Sequence, residues 1–363
     1  MRRRTMLKRS AAATAAALAA STFPAPAISQ GRKELKMVTS WPKNFPGLGT
    51  AAQRFADRLE AATDGRYQVR VYAGGELVHP LKCNDAVQEG TADLYHSAEY
   101  YYIGKSKAYA FFTAVPGGFS PAEINAWIYH GGGQALWDEV GAQFGVKSIP
   151  CGNTGHQMGG WFKKEMNSPE DFKGLKMRIP GLGGDVIKAL GGTSVTLAGS
   201  EIMPALEAGT VDATEWVGPW NDLAFGFYKI VKNYYYPGIH EPGSTLSLGI
   251  SKKLWDGLSK SDRQIFTDCA GAENDYDLAE FNANNTQALE TLVTKHGVKV
   301  HEFSDAIFKQ MDEAARDVVA SVGQSDPLTN KVYNSYINFR KIAVAWTRLS
   351  DQAYFNKRDL YKY

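Results

Sequence analysis

Cysteine is scarce in this 363-residue chain: Cys83, Cys151 and Cys269 are the only three. No two stand at C-x-x-C spacing, which excludes the usual zinc and thioredoxin-type arrangements. An odd count leaves at least one thiol unpaired. A buried free thiol is the ordinary state of an isolated cysteine; a Cys83–Cys151 disulfide is the alternative that an oxidising compartment would allow. Histidine is also sparse, at seven. There is no H-E-x-x-H, no nucleophile elbow and no phosphate-binding loop, so the common hydrolase and nucleotide-binding signatures are missing. Beyond the N-terminus no apolar run approaches the ~18 residues of a spanning helix. A large excess of one sign of charge is lacking too, with 40 basic against 38 acidic residues, and no low-complexity tract is present.

What is there begins with a leader. MRRRTMLKRS is basic, AAATAAALAA is short and apolar, and the small residues of PAPAIS follow. This pattern predicts a secretory signal over residues 1–29, cleaved after Ser29. Arg3-Arg4-Thr5-Met6-Leu7-Lys8 further resembles a twin-arginine signal, with Met in place of the commoner Phe. Five of the 40 basic residues lie in the leader and none of the 38 acidic ones, so the remainder carries 35 against 38, net −3. Such a balance favours neither a nucleic-acid partner nor a membrane surface. The expected product is exported and periplasmic.

The remainder alternates between two periods. LKMVTSW (35–41) reads as a strand. Ala52, Phe55, Leu59 and Ala62 recur at helical spacing, and Gly65 ends that helix. Strands follow at 66–72 and 92–98, with a short helix over 82–90 between them. The order repeats with strands at 145–152, 175–181, 193–199 and 211–216, a helix from Gly184 to Leu190, and a helix capped by Ser200 through Glu207. Ser261-Asp-Arg-Gln264 reads as a capping box opening a helix to His296. Ser304 starts another, Pro327 breaks it, and a last helix covers about 328–350. The fold expected is α/β: two doubly wound lobes with a ligand cleft between them, a long bridging helix and extra C-terminal helices. The lobes would comprise 30–155 with about 243–285, and 156–242 with about 286–326, leaving 327–363 as a C-terminal helix.

Three segments carry polar groups suited to one pocket. SAEYYYIG (97–104) follows a strand and offers Glu99, Tyr100 and Tyr101, the tyrosines being apolar bodies with one hydroxyl each. CGNTGHQMGGWF (151–162) offers Asn153, His156 and Gln157 in a glycine-rich turn, and the amide oxygen of Gln157 suits a hard cation. In LKMRIPG, Arg178 lies late in a strand on the face opposite Met177, where a guanidinium can hold a carboxylate by two parallel hydrogen bonds. A fourth segment poses a question. ATEWVGPW (213–220) sets Glu215 beside Trp216 and ahead of Trp220, in a stretch with no other charge. If buried, it must be protonated, paired or bound to a metal. Its candidate partners are Arg178 and a cation shared with Gln157. Glu241 of HEPG adds a second carboxylate, and such an oxygen-rich set suits Na⁺ or Ca²⁺ rather than zinc.

These segments together resemble the solute-binding proteins of TRAP (tripartite ATP-independent periplasmic) transporters. The residues that carry the resemblance are MVTSWP, GNTGHQMGGWF, FKGLKMRIPG, TEWVGPW and YPGIHEPG, spread over nearly the whole chain after the leader. QMGGWF with TEWVGPW points to the branch that binds 2-oxo acids and related monocarboxylates. The resemblance implies a type II periplasmic-binding-protein-like receptor that closes on a small carboxylate. It implies that Arg178 grips the ligand and that Tyr101, with Tyr100 beside it, completes the pocket. It implies a metal on Gln157, the Glu215 side chain, the Trp216 carbonyl and Glu241. It implies partners in the small and large membrane subunits of the transporter, and a homodimer through a swapped C-terminal helix. Glu215-Trp216 stands where the dicarboxylate branch more often has an asparagine, which argues against succinate or malate. A receptor for a larger sugar acid or aromatic acid, and an exported metal-dependent 2-oxo acid lyase, are the competing readings.

Overall fold

The computed structural model describes residues 31–361, and the leader at 1–29 lies outside them. Two sheets organise the chain. The first holds β1 (Lys33–Thr39), β2 (Tyr67–Tyr72), β3 (Leu94–Ser97), β4 (Val146–Asn153) and β10 (Thr245–Ser251) in the order β2-β1-β3-β10-β4. The second holds β5 (Gly160–Phe162), β6 (Lys176–Arg178), β7 (Thr193–Val195), β8 (Ala213–Thr214), β9 (Asn233–Tyr236) and β11 (Lys299–Glu302) in the order β11-β9-β5-β8-β6-β7. β1, β2 and β3 are mutually parallel, as the alternation of short strands and helices predicts. Each sheet also carries one strand against the rest: β10 in the first and β5 in the second. β5, β9 and β10 are absent from the sequence-based reading. QMGGWF is buried on both faces and shows no alternation, so its strand hides in what reads as a glycine-rich turn.

The helices of the first half are α1 (Leu48–Ala62), α2 (Cys83–Gln88), α3 (Pro121–His130) and α4 (Gly133–Ala142). Those of the second lobe are α5 (Gly181–Ala189), α6 (Gly199–Glu207) and α7 (Pro219–Phe225). α6 departs from the expectation that Ser200 caps it. It begins at Gly199, and the Glu201 carboxylate accepts the Ala198 N–H at 2.7 Å, so an acid in the first turn caps the end. After α8 (Lys252–Gly257) comes α9 (Lys260–His296), 37 residues and about 55 Å at 1.5 Å per residue. Its cap is Ser259, which accepts from Asp262 N, rather than the predicted Ser261. The competing box lost because Asp262 bonds Ser259 from both backbone and carboxylate. α9 packs on β4 and α1 of the first lobe and on α7 of the second, so it bridges the two.

α10 (Asp305–Val322) is capped by Ser304 as expected. α11 (Pro327–Leu349) and a further short helix, α12 (Asp351–Arg358), finish the described chain. The first half of α11 is anchored on the first lobe: the Tyr336 hydroxyl accepts the Phe119 N–H at 2.9 Å, and Trp127 Nε1 donates to Ser335 at 3.2 Å. Cys83, Cys151 and Cys269 are all buried free thiols, so no Cys83–Cys151 disulfide forms. Among the described residues no helix is long and apolar enough to cross a membrane.

Candidate functional site

The chain passes between the sheets on two adjacent strands of backbone, 153–160 outward and 236–245 in return. They are stitched by Thr154 N to Ser244 O (3.0 Å), Gly238 N to Gln157 O (3.1 Å) and Gly159 N to Tyr235 O (2.7 Å). That side-by-side crossing is what brings Gln157 against Glu241. Gln157 Nε2 donates to Glu241 Oε2 at 2.8 Å, to Thr154 Oγ1 at 2.9 Å and to Ser244 Oγ at 3.2 Å. Ser244 Oγ donates to the same Glu241 oxygen at 2.6 Å.

Arg178 and Glu215 come from neighbouring parallel strands, β6 and the end of β8. Both are 1% exposed. Arg178 Nη1 donates to Glu215 Oε1 at 2.5 Å and to the Glu215 carbonyl at 2.9 Å, while Nε and Nη2 reach the Leu197 carbonyl at 3.2 and 3.1 Å. Four of the five guanidinium N–H groups thus have protein acceptors, and one Nη2–H remains. Its Cζ sits 5.1 Å from the centre of the Trp216 ring. The other Glu215 oxygen, Oε2, meets His240 Nε2 at 3.2 Å. The lone glutamate among indoles is therefore paired twice over.

Electrostatics at the cluster follow from burial and crowding. Burial raises the Glu241 pKa above the ordinary carboxylate value, and the negative charge of Glu215 adds to the rise. For His240, burial works against the charged ring. The hydrogen bond that the ring donates to Glu215 and the charges of Glu215 and Glu241 outweigh it, and its pKa lies above the ordinary 6.5. Burial pushes Tyr101 up to about 12, with Arg178 opposing.

Two acceptors here have no donor: Gln157 Oε1 and Glu241 Oε1 are both buried and unpartnered. One ligand atom from each of Glu215, His240 and Glu241 lies within 4.8 Å of the others. Oxygens outnumber the one imidazole, whose Nε2 is already held by Glu215. This donor set fits a hard cation such as Na⁺ or Ca²⁺. Beside it is a narrow cleft with room for about 10 Å³, bordered by Trp41, Tyr100, Tyr101, Gln157, Trp216 and Leu246. The start of α5 can approach it because Gly181 has φ +59°, and a Cβ there would stand 3.2 Å from Tyr100.

A family description covering bacterial extracellular solute-binding proteins, family 7 (DctP), matches residues 37–326. The chain belongs to the DctP family. It is a TRAP solute receptor. The receptor is 40% identical over 360 residues to the monocarboxylate 2-oxoacid-binding periplasmic protein of Nostoc, spanning 98% of each chain. Among solved structures it is similar to a TRAP solute-binding protein of Bordetella bronchiseptica, a mixed-occupancy dimer with calcium and picolinate in its occupied site. That likeness has TM-score 0.88 at 33% identity, over 91% of this chain and 98% of the other. It is also similar to one from Pseudoalteromonas atlantica with bound sodium and pyruvate, at TM-score 0.86 and 36% identity, over 90% and 99%. The two-lobed, type II-like fold is shared with both.

The residues named from the receptor's sequence divide. Arg178, Gln157, Glu215, Glu241, Trp216, Tyr100 and Tyr101 converge at the cavity and its cluster. Glu99 does not. It lies in a 3₁₀ turn (Glu99–Tyr102), where positions three apart share a face, so Glu99 turns into the first lobe with Tyr102. There Glu99 Oε1 accepts from Tyr95 at 2.7 Å, and burial pushes its pKa up to about 7. Asn153 is buried, and its Oδ1 accepts the Gly155 N–H at 2.9 Å, which shapes the turn rather than the cavity. His156 is exposed and faces an outer groove with Pro237, Asp312 and Arg340. His240 was missed. Its one signal in the sequence is its place directly before Glu241.

Proposed function

We propose that this TRAP receptor binds a small 2-oxo monocarboxylate, pyruvate or a near relative, together with Na⁺ or Ca²⁺, and delivers it to the small and large membrane subunits. The observation that carries this reading is the convergence around Glu215 of the Arg178 guanidinium and two donorless oxygens, on Gln157 and Glu241, beside the cleft of Tyr100, Tyr101 and Trp216. In this reading Arg178 offers its remaining Nη2–H to the ligand carboxylate, and a second N–H if the ligand displaces Glu215. Tyr100 and Tyr101 supply hydroxyl donors, and Trp216 an apolar wall. Gln157, Glu215, Glu241 and the Trp216 carbonyl hold the cation. When bound, the cation supplies the positive charge that lets a carboxylate ligand share a dry site with two glutamates.

The pyruvate and sodium of the Pseudoalteromonas protein support this assignment. A flat aromatic acid is the second reading, favoured by the picolinate of the Bordetella protein. Neither reading requires chemistry at the ligand, so the protein acts as a receptor and not as a lyase. We place it in the periplasm after removal of residues 1–29. The lobe limits we adopt are 30–155 with about 243–285, and 156–242 with about 286–326. A homodimer through the C-terminal segment is supported by Ile342, Trp346 and Leu349, which are 70%, 70% and 78% exposed at the free end of α11.

The test is calorimetric titration of unfolded, ligand-stripped and refolded protein with pyruvate, with chelator and with added Na⁺ or Ca²⁺. Binding that requires the cation is the expected result. No heat with pyruvate but binding of picolinate would move the assignment to aromatic acids. Turnover of pyruvate would overturn the receptor reading.

A further inference from the structure

The wall residue Trp216 is held by a buried amide that does not line the cleft. Its indole Nε1 donates to Asn221 Oδ1 at 3.3 Å, and Asn221 Nδ2 donates to the Pro46 carbonyl at 3.0 Å. Asn221 is fully buried. An indole N–H can only donate and a carbonyl can only accept, so the amide has one orientation that satisfies both. Asn221 lies on α7 of the second lobe. Pro46 lies in the loop between β1 and α1 of the first. The amide therefore joins a cavity wall to the opposite lobe in a single step.

Its surroundings leave it little freedom. The next residue, Asp222, accepts from Trp161 Nε1 at 2.9 Å, from Tyr234 at 2.6 Å and from Val217 N at 3.3 Å, which fixes the first turn of α7 and the Trp216–Gly218 turn together. Trp220 N donates to Asn285 of the bridging helix α9 at 3.0 Å. From the other side the Trp216 ring meets Trp41 and Phe45 of the first lobe edge-on, each at 6.3 Å between centres. Of these contacts, the bond from Asn221 to Pro46 is the one a side chain of this wall donates to the β1–α1 loop of the first lobe.

We propose that Asn221 is a closure latch: a positioning residue that couples the seating of Trp216 to docking of the second lobe on Pro46, and so sets how long ligand stays bound. When the lobes part, the Asn221 amide and the Pro46 carbonyl return to water. The bond then stabilises only the closed form, and its loss speeds dissociation without slowing association. This rests on the ligand reading above only for its choice of probe.

The experiment is stopped-flow binding of pyruvate with Ca²⁺ to wild type, Asn221→Asp and Asn221→Ala. The Asp variant keeps an acceptor for Trp216 and loses the donor to Pro46; the Ala variant loses both. An unmade buried hydrogen bond corresponds to roughly a five- to hundredfold change. Dissociation is expected to be at least about fivefold faster in both variants, with association within about twofold and a larger melting loss with ligand than without it. Unchanged dissociation overturns the latch. So does a melting loss equal with and without ligand, which would mark Asn221 as merely structural. On unmutated protein, the Asn221 side-chain amide protons should exchange with D₂O at least about tenfold more slowly once ligand is added, and equal exchange overturns the proposal without any variant. If wild type ignores pyruvate, the ligand reading fails by itself. The latch is then judged by small-angle scattering of ligand-free protein, where Asn221→Asp should lower the compact fraction and an identical profile refutes it.

Discussion

Replacing Arg178 by alanine separates two roles that the structure superimposes. The guanidinium is the partner of a buried glutamate, and in our reading it is also the grip on the ligand. Its removal strands Glu215 Oε1 and the Leu197 carbonyl, and leaves the Glu215 carbonyl with the Thr214 hydroxyl as donor. Breaking a buried pair by deleting one member costs about 3–5 kcal/mol, because the other charge stays buried. At about 2 °C per kcal/mol for a chain of this size, the ligand-free protein should melt about 5–10 °C lower. The loss in binding is a separate quantity. One or two charge-assisted hydrogen bonds to a carboxylate contribute about 2–4 kcal/mol, which is roughly a 30- to 700-fold rise in Kd. Calorimetry with pyruvate and Ca²⁺ reads the second, and thermal unfolding without ligand reads the first. Arg178→Lys restores a charge but not the fork, and should recover part of the melting temperature with little of the affinity. A variant that melts several degrees lower yet binds pyruvate within threefold of wild type would refute the reasoning. Arg178 would then be the counter-ion of Glu215 and nothing more.

Glu215→Gln should weaken pyruvate binding and flatten its dependence on Ca²⁺; a cation dependence of Kd identical to wild type would remove Glu215 from the cation set. Glu99 carries a pH prediction. Its folded pKa, about 7, lies above the ordinary 4.5 because burial opposes the charge, so between those values the folded state binds more protons than the unfolded one. Stability from this group is thus present below pH 4.5 and lost as pH rises through 7, by about 3 kcal/mol in all. Glu99→Gln, which keeps a carbonyl for Tyr95, should match wild type near pH 4 and exceed it in urea unfolding at pH 8; an equal difference at both pH values would count against this. Trp346→Glu should shift the protein from dimer to monomer in light scattering, and a monomeric wild type would end the homodimer proposal.

Local pattern carried far in this chain. Periodicity and capping residues mark α1, α9 and α10 because a helix is stabilised by neighbours three and four positions away, all within one window of sequence. β1 and β2 announce themselves by spacing and turn residues. The motif resemblance in GNTGHQMGGWF, FKGLKMRIPG and TEWVGPW was enough to nominate Gln157, Arg178 and Glu215 before any coordinate. Local pattern failed where two windows competed. Ser261 reads as the cap of α9, but the helix is capped two residues earlier by Ser259, which Asp262 bonds twice.

The tertiary structure decided the rest. Which of Glu99, Tyr100 and Tyr101 faces the cavity depends on the pitch of a 3₁₀ turn set by its packing. The strands β5, β9 and β10 show no alternation because both faces are covered, and covering is a property of the assembled sheets. His240 meets Glu215, and Gln157 meets Glu241, because the two crossing segments lie side by side and β6 pairs with β8. Asn221 reaches Pro46 across 175 positions of chain. Sequence specifies which side chains can donate, accept or carry charge. Strand order and lobe docking specify which of them meet, since those contacts exist only after the loop-closure entropy of long separations has been overcome by the packed core.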